Sequence, residues 1–469
     1  MDMRVLFWFR KDLRLDDNTG LSEAVRDADG GVVPFYASEP AILRRDDMAA
    51  TRVRFALESI ADLADAVAQT GSQLALDHGD ANETVLRAAR AAEADAVYWN
   101  DEYEPTLRAR DDAVEGTLRV AGFAVHRFHD RLLAPPGSVL TRSGTPFTVF
   151  TPFQRASLSL PAARPIPAVR TLAPHSLRSI PLATLDELGF STTQTRWPGG
   201  AKAAHARLDQ FVNERLIDYA AARDRPDRDA TSRLSADLKF GTLSVRTVAS
   251  AVADAAAAER RLNPSAEKFL SELRWRDFFS HVLFHHPHCE RGAFRPEYEG
   301  IEWAGEERHL DAWQSGRTGY PIVDAGMREL VATGFMHNRL RMIVASFLTK
   351  DLLLDWRAGE RHFMRHLVDA DLAANNGGWQ WAAGTGTDAQ PWFRIFNPEL
   401  QGQRCDPDGT YVRRWVPELK DVPARLIHRI GAAHEAAPEY PAPIVDHAVQ
   451  RGRALAMYRR AVPRSSAAR

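Results

Sequence analysis

Between Asp369 and Asn397 the chain reads DADLAANNGGWQWAAGTGTDAQPWFRIFN, too rich in Gly, Asn, Trp and Thr for ordinary core or ordinary surface. Two acids, Asp369 and Asp371, lead into Asn375 and Asn376, then into two glycines that let backbone approach a planar partner, then into Trp379 and Trp381. The segment reads as a binding surface. On a helix, residues two apart do not share a face, so the two indoles should meet different neighbours. The competing reading is a Gly-punctuated turn between buried helices, with both indoles as core filler. Eight of the eleven tryptophans lie between Trp275 and Trp415. Indole is easily oxidised and also packs well, so three in van der Waals succession from a buried redox cofactor would carry an electron inward.

Three further constellations carry chemistry. TSRLSADLKFG places Thr231, Ser232 and Ser235 at a helix start after a polar loop. Free backbone NH groups and hydroxyls there suit an anionic phosphate, although the same residues serve as a plain cap. His337, Asn338, Arg339, Arg341 and Met342 fall in an apolar helical stretch, with Asn338 and Met342 four apart on one face. An arginine in such a helix needs an acid partner, because unpaired buried charge is costly. Glu272, Trp275, Arg276 and Phe279 recur at three and four, a stripe that mixes a carboxylate with two aromatic rings.

The elements that must position these residues fall into two kinds. Up to residue 130, short apolar or β-branched runs (Val5–Phe9, Gly31–Tyr36, Gln73–Asp77, Ala96–Asn100, Ala124–Phe128) alternate with helical stretches such as Ala49–Gln69 and Ala81–Glu93. The alternation predicts a doubly wound parallel α/β sheet. No GxGxxG follows the first strand, which excludes the usual dinucleotide pyrophosphate site. Residues 131–200 are dense in Pro, Ser and Thr and read as a long connector wrapped on the surface. From 201 to 469 helical periodicity dominates, as in Ala201–Ala221, Ser244–Arg261, Ser265–Phe284, Ile322–Thr333, His337–Leu348 and Gly359–Leu372, so the larger domain should be all-α.

Composition narrows the function classes. Hydrophobic residues make up 45% and charged residues 26%, as in a water-soluble globular protein. The two cysteines, Cys289 and Cys405, lie far apart without CxxC spacing. That points to a reducing cytoplasm and against a zinc or iron–sulfur centre; no metal site is expected. No apolar window is long enough for a membrane span, and the first residues read as neither signal peptide nor anchor. With 60 basic and 62 acidic residues, net charge −2, nucleic acid would have to be bound by a local patch. The segment Arg451–Arg469, with six arginines and no acid, is a basic edge or a solvated end.

DLAANNGGWQWAAGTGTDAQPWFRIFNP resembles the flavin-pocket signature of the photolyase/cryptochrome family, closer to class I cyclobutane pyrimidine dimer photolyases than to any cryptochrome. WFRKDLRLDDN (Trp8–Asn18), TSRLS (Thr231–Ser235), ELRWRDFF (Glu272–Phe279) and the stretch 318–350 resemble the same family in the same order, so the likeness covers nearly the whole chain. It implies light-driven repair of pyrimidine dimers in ultraviolet-damaged DNA, with fully reduced FAD held in the all-α domain of a monomer. Tyr219, Thr231, Ser232, Arg233, Leu234 and Ser235 would contact the phosphate and ribose side. Arg341, paired with Asp369, would stand beside the flavin ring, Asp371 at its edge, and Asn375 would accept a hydrogen bond from N5, favouring the reduced form. Plant cryptochromes carry Asp at this place and animal ones Cys, so Asn speaks for repair.

By the same resemblance Trp275 and Trp381 form an apolar wedge against the fused pyrimidines, Glu272 hydrogen-bonds their carbonyl and imide edge, and Asn338 and Met342 complete the pocket. Enzymes acting on (6-4) photoproducts place histidines at those last two positions. Arg223, Arg339 and Gln401 would touch the flanking DNA backbone. Trp379, Trp356 and Trp303 would form the electron chain. The first domain would seat an antenna chromophore, a deazaflavin, folate or flavin; Pro105, Thr106 and Leu107 stand where folate-binding members carry an Asn-Glu pair, which counts against folate and leaves its identity open. A cryptochrome-like photoreceptor is the alternative within the family. A non-photochemical flavoprotein is the alternative outside it, and it would need an NAD(P) site that the sequence lacks.

Overall fold

The structure, a computed structural model, describes residues 3–161, 164–191 and 197–461; the end of the basic segment, 462–469, lies outside them. The chain divides into two compact units, Met1–Ala220 with Thr231–Pro287, and Ala221–Ala230 with His288–Arg469.

The first unit is built on five parallel strands, β1 (Val5–Phe9), β2 (Val32–Ser38), β3 (Ala75–His78), β4 (Ala96–Asn100) and β5 (Ala124–Phe128), in the order β3-β2-β1-β4-β5. Every residue of β1 (VLFWF) and β4 (AVYWN) is buried. Such unbroken apolar runs mark strands covered on both faces. Alternate residues feed two cores: Leu6, Trp8, Val97 and Trp99 join one, while Val5, Phe7, Phe9, Ala96 and Tyr98 join the other. The chain runs from β1 outward to β3 and then returns to the other side of β1, so the topological switch lies between β1 and β4.

The 131–200 stretch is more than a wrapping. Ala173 N donates to Val32 O (3.0 Å) and Ile180 N to Leu76 O (2.9 Å), lacing its backbone to β2 and β3. Leu172 and Leu177 are buried, and Phe150–Ser157 forms a helix. Beyond it, helices Ala201–Gln210, Val245–Ala258 and Asn263–His285 enclose a core of Leu208, Phe211, Tyr219, Val248, Val252, Phe269 and Leu273. The expected single helix Ala201–Ala221 loosens after Gln210 into a wide π turn, Phe211–Arg215, and a tight 3₁₀ turn, Leu216–Asp218.

The second unit is helical. Its core gathers Trp313, Met327, Leu340, Val344, Phe363 and Trp379 from helices Glu307–Gln314, Pro321–Thr333, Asn338–Ser346, Trp356–His366 and Leu372–Ala383. One local expectation changes, and one alternative closes. The helix expected over Gly359–Leu372 begins at Trp356, because the Asp355 side chain caps it, and ends at His366, where Leu367 turns extended. The Gly-rich stretch from Leu372 to Ala383 is a regular helix running through Gly377 and Gly378. Its start is capped by Asp371 and its end by Gly384 at φ 80°. These ends, with packing of Trp379, outweigh the cost of about 1 kcal/mol per helical glycine. Among the described residues no helix is long and apolar enough to cross a membrane, and no group of His, Cys, Asp or Glu is placed to hold a metal.

Candidate functional site

In the second unit the helix Leu372–Ala383 organises the residues singled out above. Asp371 Oδ1 accepts from Ala374 N (3.1 Å), so this carboxylate already serves as a cap. Asn376 and Gln380, one turn apart, form a buried brace. Asn376 Nδ2 donates to Cys289 O and to Glu360 Oε1 (both 2.9 Å); Gln380 Nε2 donates to Asn376 Oδ1 (2.9 Å) and its Oε1 accepts from Phe294 N (2.7 Å). Burial pushes Glu360 up to about 7. Asn375 is half-buried. Its Nδ2 donates to the Glu360 carbonyl (3.0 Å), which fixes the amide: the oxygen is the free end, without a partner among the described residues. One turn on, Gly378 leaves open space where a side chain would stand, with nothing within 4 Å of the Cβ position.

Arg341 reaches both oxygens of Asp369 through Nη2 (2.8 and 3.1 Å) and the Met336 carbonyl through Nε (2.8 Å). Nη1 has no partner among the described residues. The Asp369 side chain is only 3% exposed, so the pair meets the requirement that a sunken carboxylate be neutralised. Helix Asn338–Ser346 starts at His337, whose Nδ1 accepts from Arg339 N (3.1 Å); burial pushes this imidazole down to about 4. A neutral ring is what an accepting cap needs. Asn338 is exposed and Met342 half-exposed on the same helix. Arg339 pairs with Asp224 (2.8 Å); Arg223 and Gln401 are half-buried.

Trp379, Trp356 and Trp303 make no ring-to-ring contact with one another among the described residues. Glycines bring their segments together instead. A Cβ on Gly359, three residues after Trp356, would strike the Trp379 ring at 2.1 Å. Gly305, two residues after Trp303, donates to Leu353 O (3.0 Å), and its missing side chain admits the Leu352 carbonyl at 2.4 Å from the Cβ position. Leu352 and Leu353 lie just ahead of Trp356. Trp379 is buried with its Nε1 unpartnered among the described residues, and it stands edge-on to Trp313 (5.9 Å) and Phe363 (5.0 Å). Trp381 is half-buried against the core. Sequence reading missed Gly359, Gly305, Trp313 and the Asn376–Gln380 brace; only the four-residue spacing of the last was visible beforehand.

In the first unit, Tyr219 is buried between Phe211 (5.8 Å) and Phe269 (5.4 Å). Thr231, Ser232 and Arg233 precede Leu234 and the short helix Ser235–Phe240. Leu234 N donates to Ser232 Oγ (3.4 Å), and Arg233 sits at φ 57° with its guanidinium over Trp197 (5.3 Å). Left-handed backbone in a non-glycine residue is a mark of a constrained loop. Glu272 and Trp275 are half-buried on helix Asn263–His285, with Trp275 stacked on Phe150 (3.7 Å between ring centres, 11° between planes). At the carboxyl ends of β1 and β4, Trp8 Nε1, Trp99 Nε1, Arg10 Nε and Asp111 Oδ2 are buried without partners among the described residues. Asp111 is held by Arg10 (2.6 Å) and Arg110 (2.8 Å).

Residues 5–170 match the family described as DNA photolyase, and residues 269–460 match the FAD binding domain of DNA photolyase. The chain is 43% identical to a deoxyribodipyrimidine photo-lyase of Halobacterium salinarum, over 97% of this chain and 99% of the relative. A bacterial class III photolyase from Agrobacterium tumefaciens superposes with a TM-score of 0.90 at 38% identity, over 98% of both chains. An archaeal photolyase from Sulfolobus tokodaii, solved with two FAD molecules, gives 0.85 at 35%, over 98% of this chain and 100% of that one. A cryptochrome of Synechocystis gives 0.89 at 29%, over 97% and 99%.

Proposed function

The chain belongs to the DNA photolyase family, and from that membership we propose that it is a deoxyribodipyrimidine photo-lyase, repairing cyclobutane pyrimidine dimers in DNA with light and FAD. The observation that carries this reading is the match of both family regions, in order, along one chain, with 43% identity over nearly its full length. We divide the chain into an antenna-type domain (1–130), a connector (131–200) and a helical cofactor-binding domain (201–469).

The donor set of the second unit fits a flavin. Asn375 presents a fixed acceptor, Arg341 a guanidinium with a spare NH₂ edge, and Gly378 a bare helix face. Held by these residues, FAD in its reduced form would supply the light-driven one-electron chemistry that splits the dimer with no net redox change. The protein's own work is placement. Arg341, locked by Asp369, and Asp371 hold the ring edge; Tyr219 and the Thr231–Ser235 loop, including Arg233 and Leu234, hold the phosphate and ribose side. Trp275 and Trp381 offer apolar stacking surface to the extruded dimer, at about 1–3 kcal/mol per stacked base. Glu272 takes the carbonyl and imide edge, Asn338 and Met342 close the pocket, and Arg223, Arg339 and Gln401 steady the flanking backbone. Trp379, Trp356 and Trp303 serve electron entry when the cofactor is oxidised.

A second chromophore seat in the first unit is supported by the buried unpartnered atoms of Trp8, Trp99, Arg10 and Asp111 at the β1/β4 switch, where open parallel sheets bind ligands. We infer further that the enzyme works as a monomer in the cytoplasm. An absorption spectrum of the purified protein with a dimer-loss assay under blue light tests the reading: flavin bands and light-dependent loss of thymine dimers are expected. Protein that cannot be loaded with FAD, or that leaves dimers intact under illumination, would overturn it.

A further inference from the structure

The stack between Phe150 and Trp275 joins two segments that sequence alone does not connect. Phe150 opens the helix Phe150–Ser157 inside the 131–200 stretch, while Trp275 lies in the middle of Asn263–His285. Their rings lie nearly parallel at 3.7 Å. Phe278 stands edge-on to both, 5.8 Å from Phe150 and 5.7 Å from Trp275, and Phe279 leans on Trp275 at 5.5 Å. Phe150 is buried and Trp275 half-buried, so one indole face is covered.

The short helix is fastened at several levels along the longer one. Gln154 Nε2 donates to Ser271 Oγ (2.9 Å), one turn before Trp275. Phe153 packs on Phe278 (5.4 Å) and His281 (4.9 Å), one turn and more after it. Upstream, Ala134 is gripped at both backbone groups, its N–H by Asp277 Oδ2 (3.0 Å) and its carbonyl by His281 Nε2 (2.7 Å). Burial pushes His281 down to about 4, consistent with a neutral ring that donates to that carbonyl. The register of Phe150 against Trp275 is therefore set from both sides.

We propose that Phe150 is a positioning residue for the repair reaction: it backs the indole of Trp275, fixes the plane of that ring before DNA arrives, and leaves a single face for the damaged bases. This rests on the reading of Trp275 as a lesion contact. An unbacked indole would have to be ordered on binding, which weakens the complex; a pre-stacked one does not. Phe150 reaches the substrate only through Trp275.

The test uses the full-length, FAD-loaded protein and an oligonucleotide with one thymine cyclobutane dimer. Phe150→Ala is expected to weaken dimer binding about 3- to 10-fold, the scale of one aromatic pair, with flavin content unchanged and dimers split per absorbed photon at saturating DNA unchanged. Phe150→Tyr should restore binding; it also answers for the site if the alanine variant folds poorly. In a Trp275→Ala background, Phe150→Ala should add no further loss. An equal loss in both backgrounds, or no loss in the single variant, would overturn the proposal. Unchanged dimer binding by Trp275→Ala alone would instead sink the underlying assignment of Trp275, and the role of Phe150 with it.

Discussion

An amide whose nitrogen is already engaged has only its oxygen to offer, and that is the position of Asn375, held at Nδ2 by the Glu360 carbonyl. If that oxygen stabilises the protonated, reduced flavin, Asn375→Ala should keep FAD but let the reduced form reoxidise in air about 2- to 10-fold faster, the worth of one hydrogen bond. Recovery of the oxidised flavin band measures this; an unchanged rate would remove Asn375 from the role. The Glu360 side chain binds its proton differently in the folded and unfolded chain. Burial raises its pKa from 4.5 to about 7, so between those values the folded state keeps a proton that the unfolded chain has released. The stability it contributes is complete below about pH 4.5 and is lost as pH rises through 7. Gln mimics the neutral form at every pH. Glu360→Gln should therefore match the parent near pH 4.5 and exceed it above pH 7 by roughly 2–3 kcal/mol in chemical denaturation. His337 and His362, pushed down to about 4 and about 3, act in the opposite sense, but they are common to both proteins and cancel in the difference.

Elements meet where side chains are missing. Helices Trp356–His366 and Leu372–Ala383 come together at Gly359, where the Trp379 ring fills the place of a Cβ. Gly359→Ala should displace that ring, cost about 1–3 kcal/mol by overpacking, and slow photoreduction of oxidised flavin while leaving repair by the pre-reduced enzyme nearly intact. Transient absorption and thermal unfolding check the two halves; unchanged photoreduction would mean that electrons do not enter through Trp379. How far this was legible follows from the same geometry. Strands β1 and β4 announce themselves as buried apolar runs, and β1, β4 and β5 fall where the sequence places them. The residues of the helix Leu372–Ala383 are legible by type, but the sequence leaves its form open between helix and turn, because two glycines argue locally for a turn while Asp371 and Gly384 cap its ends and Trp379 seats it. Gly359 against Trp379, Gly305 against Leu352, and Phe150 against Trp275 join residues far apart in the chain, and no local pattern announces such pairs.

On the scale of the whole molecule, 60 basic and 62 acidic residues leave no general attraction for DNA. On the proposed reading, affinity comes from a few phosphate contacts, and selectivity from apolar surface offered to the extruded dimer. These two contributions respond differently to salt. Each phosphate contact releases condensed counterions, so log K falls against log [salt] with a slope of about −0.9 per contact on duplex DNA, whereas stacking on indoles leaves the slope alone. Arg339 is half-exposed beside Asp224, so its loss should also leave an unneutralised acid near the strand. Arg339→Ala is expected to weaken binding to damaged and undamaged duplexes alike and to shallow the salt slope by about one. Trp381→Ala should lower affinity for dimer-containing DNA alone, at constant slope. Titrations of both variants across a range of salt separate the two contributions. An unchanged slope for Arg339→Ala would mean that this guanidinium serves Asp224 and not the DNA backbone, and parallel losses on both duplexes for Trp381→Ala would move that indole out of the lesion pocket.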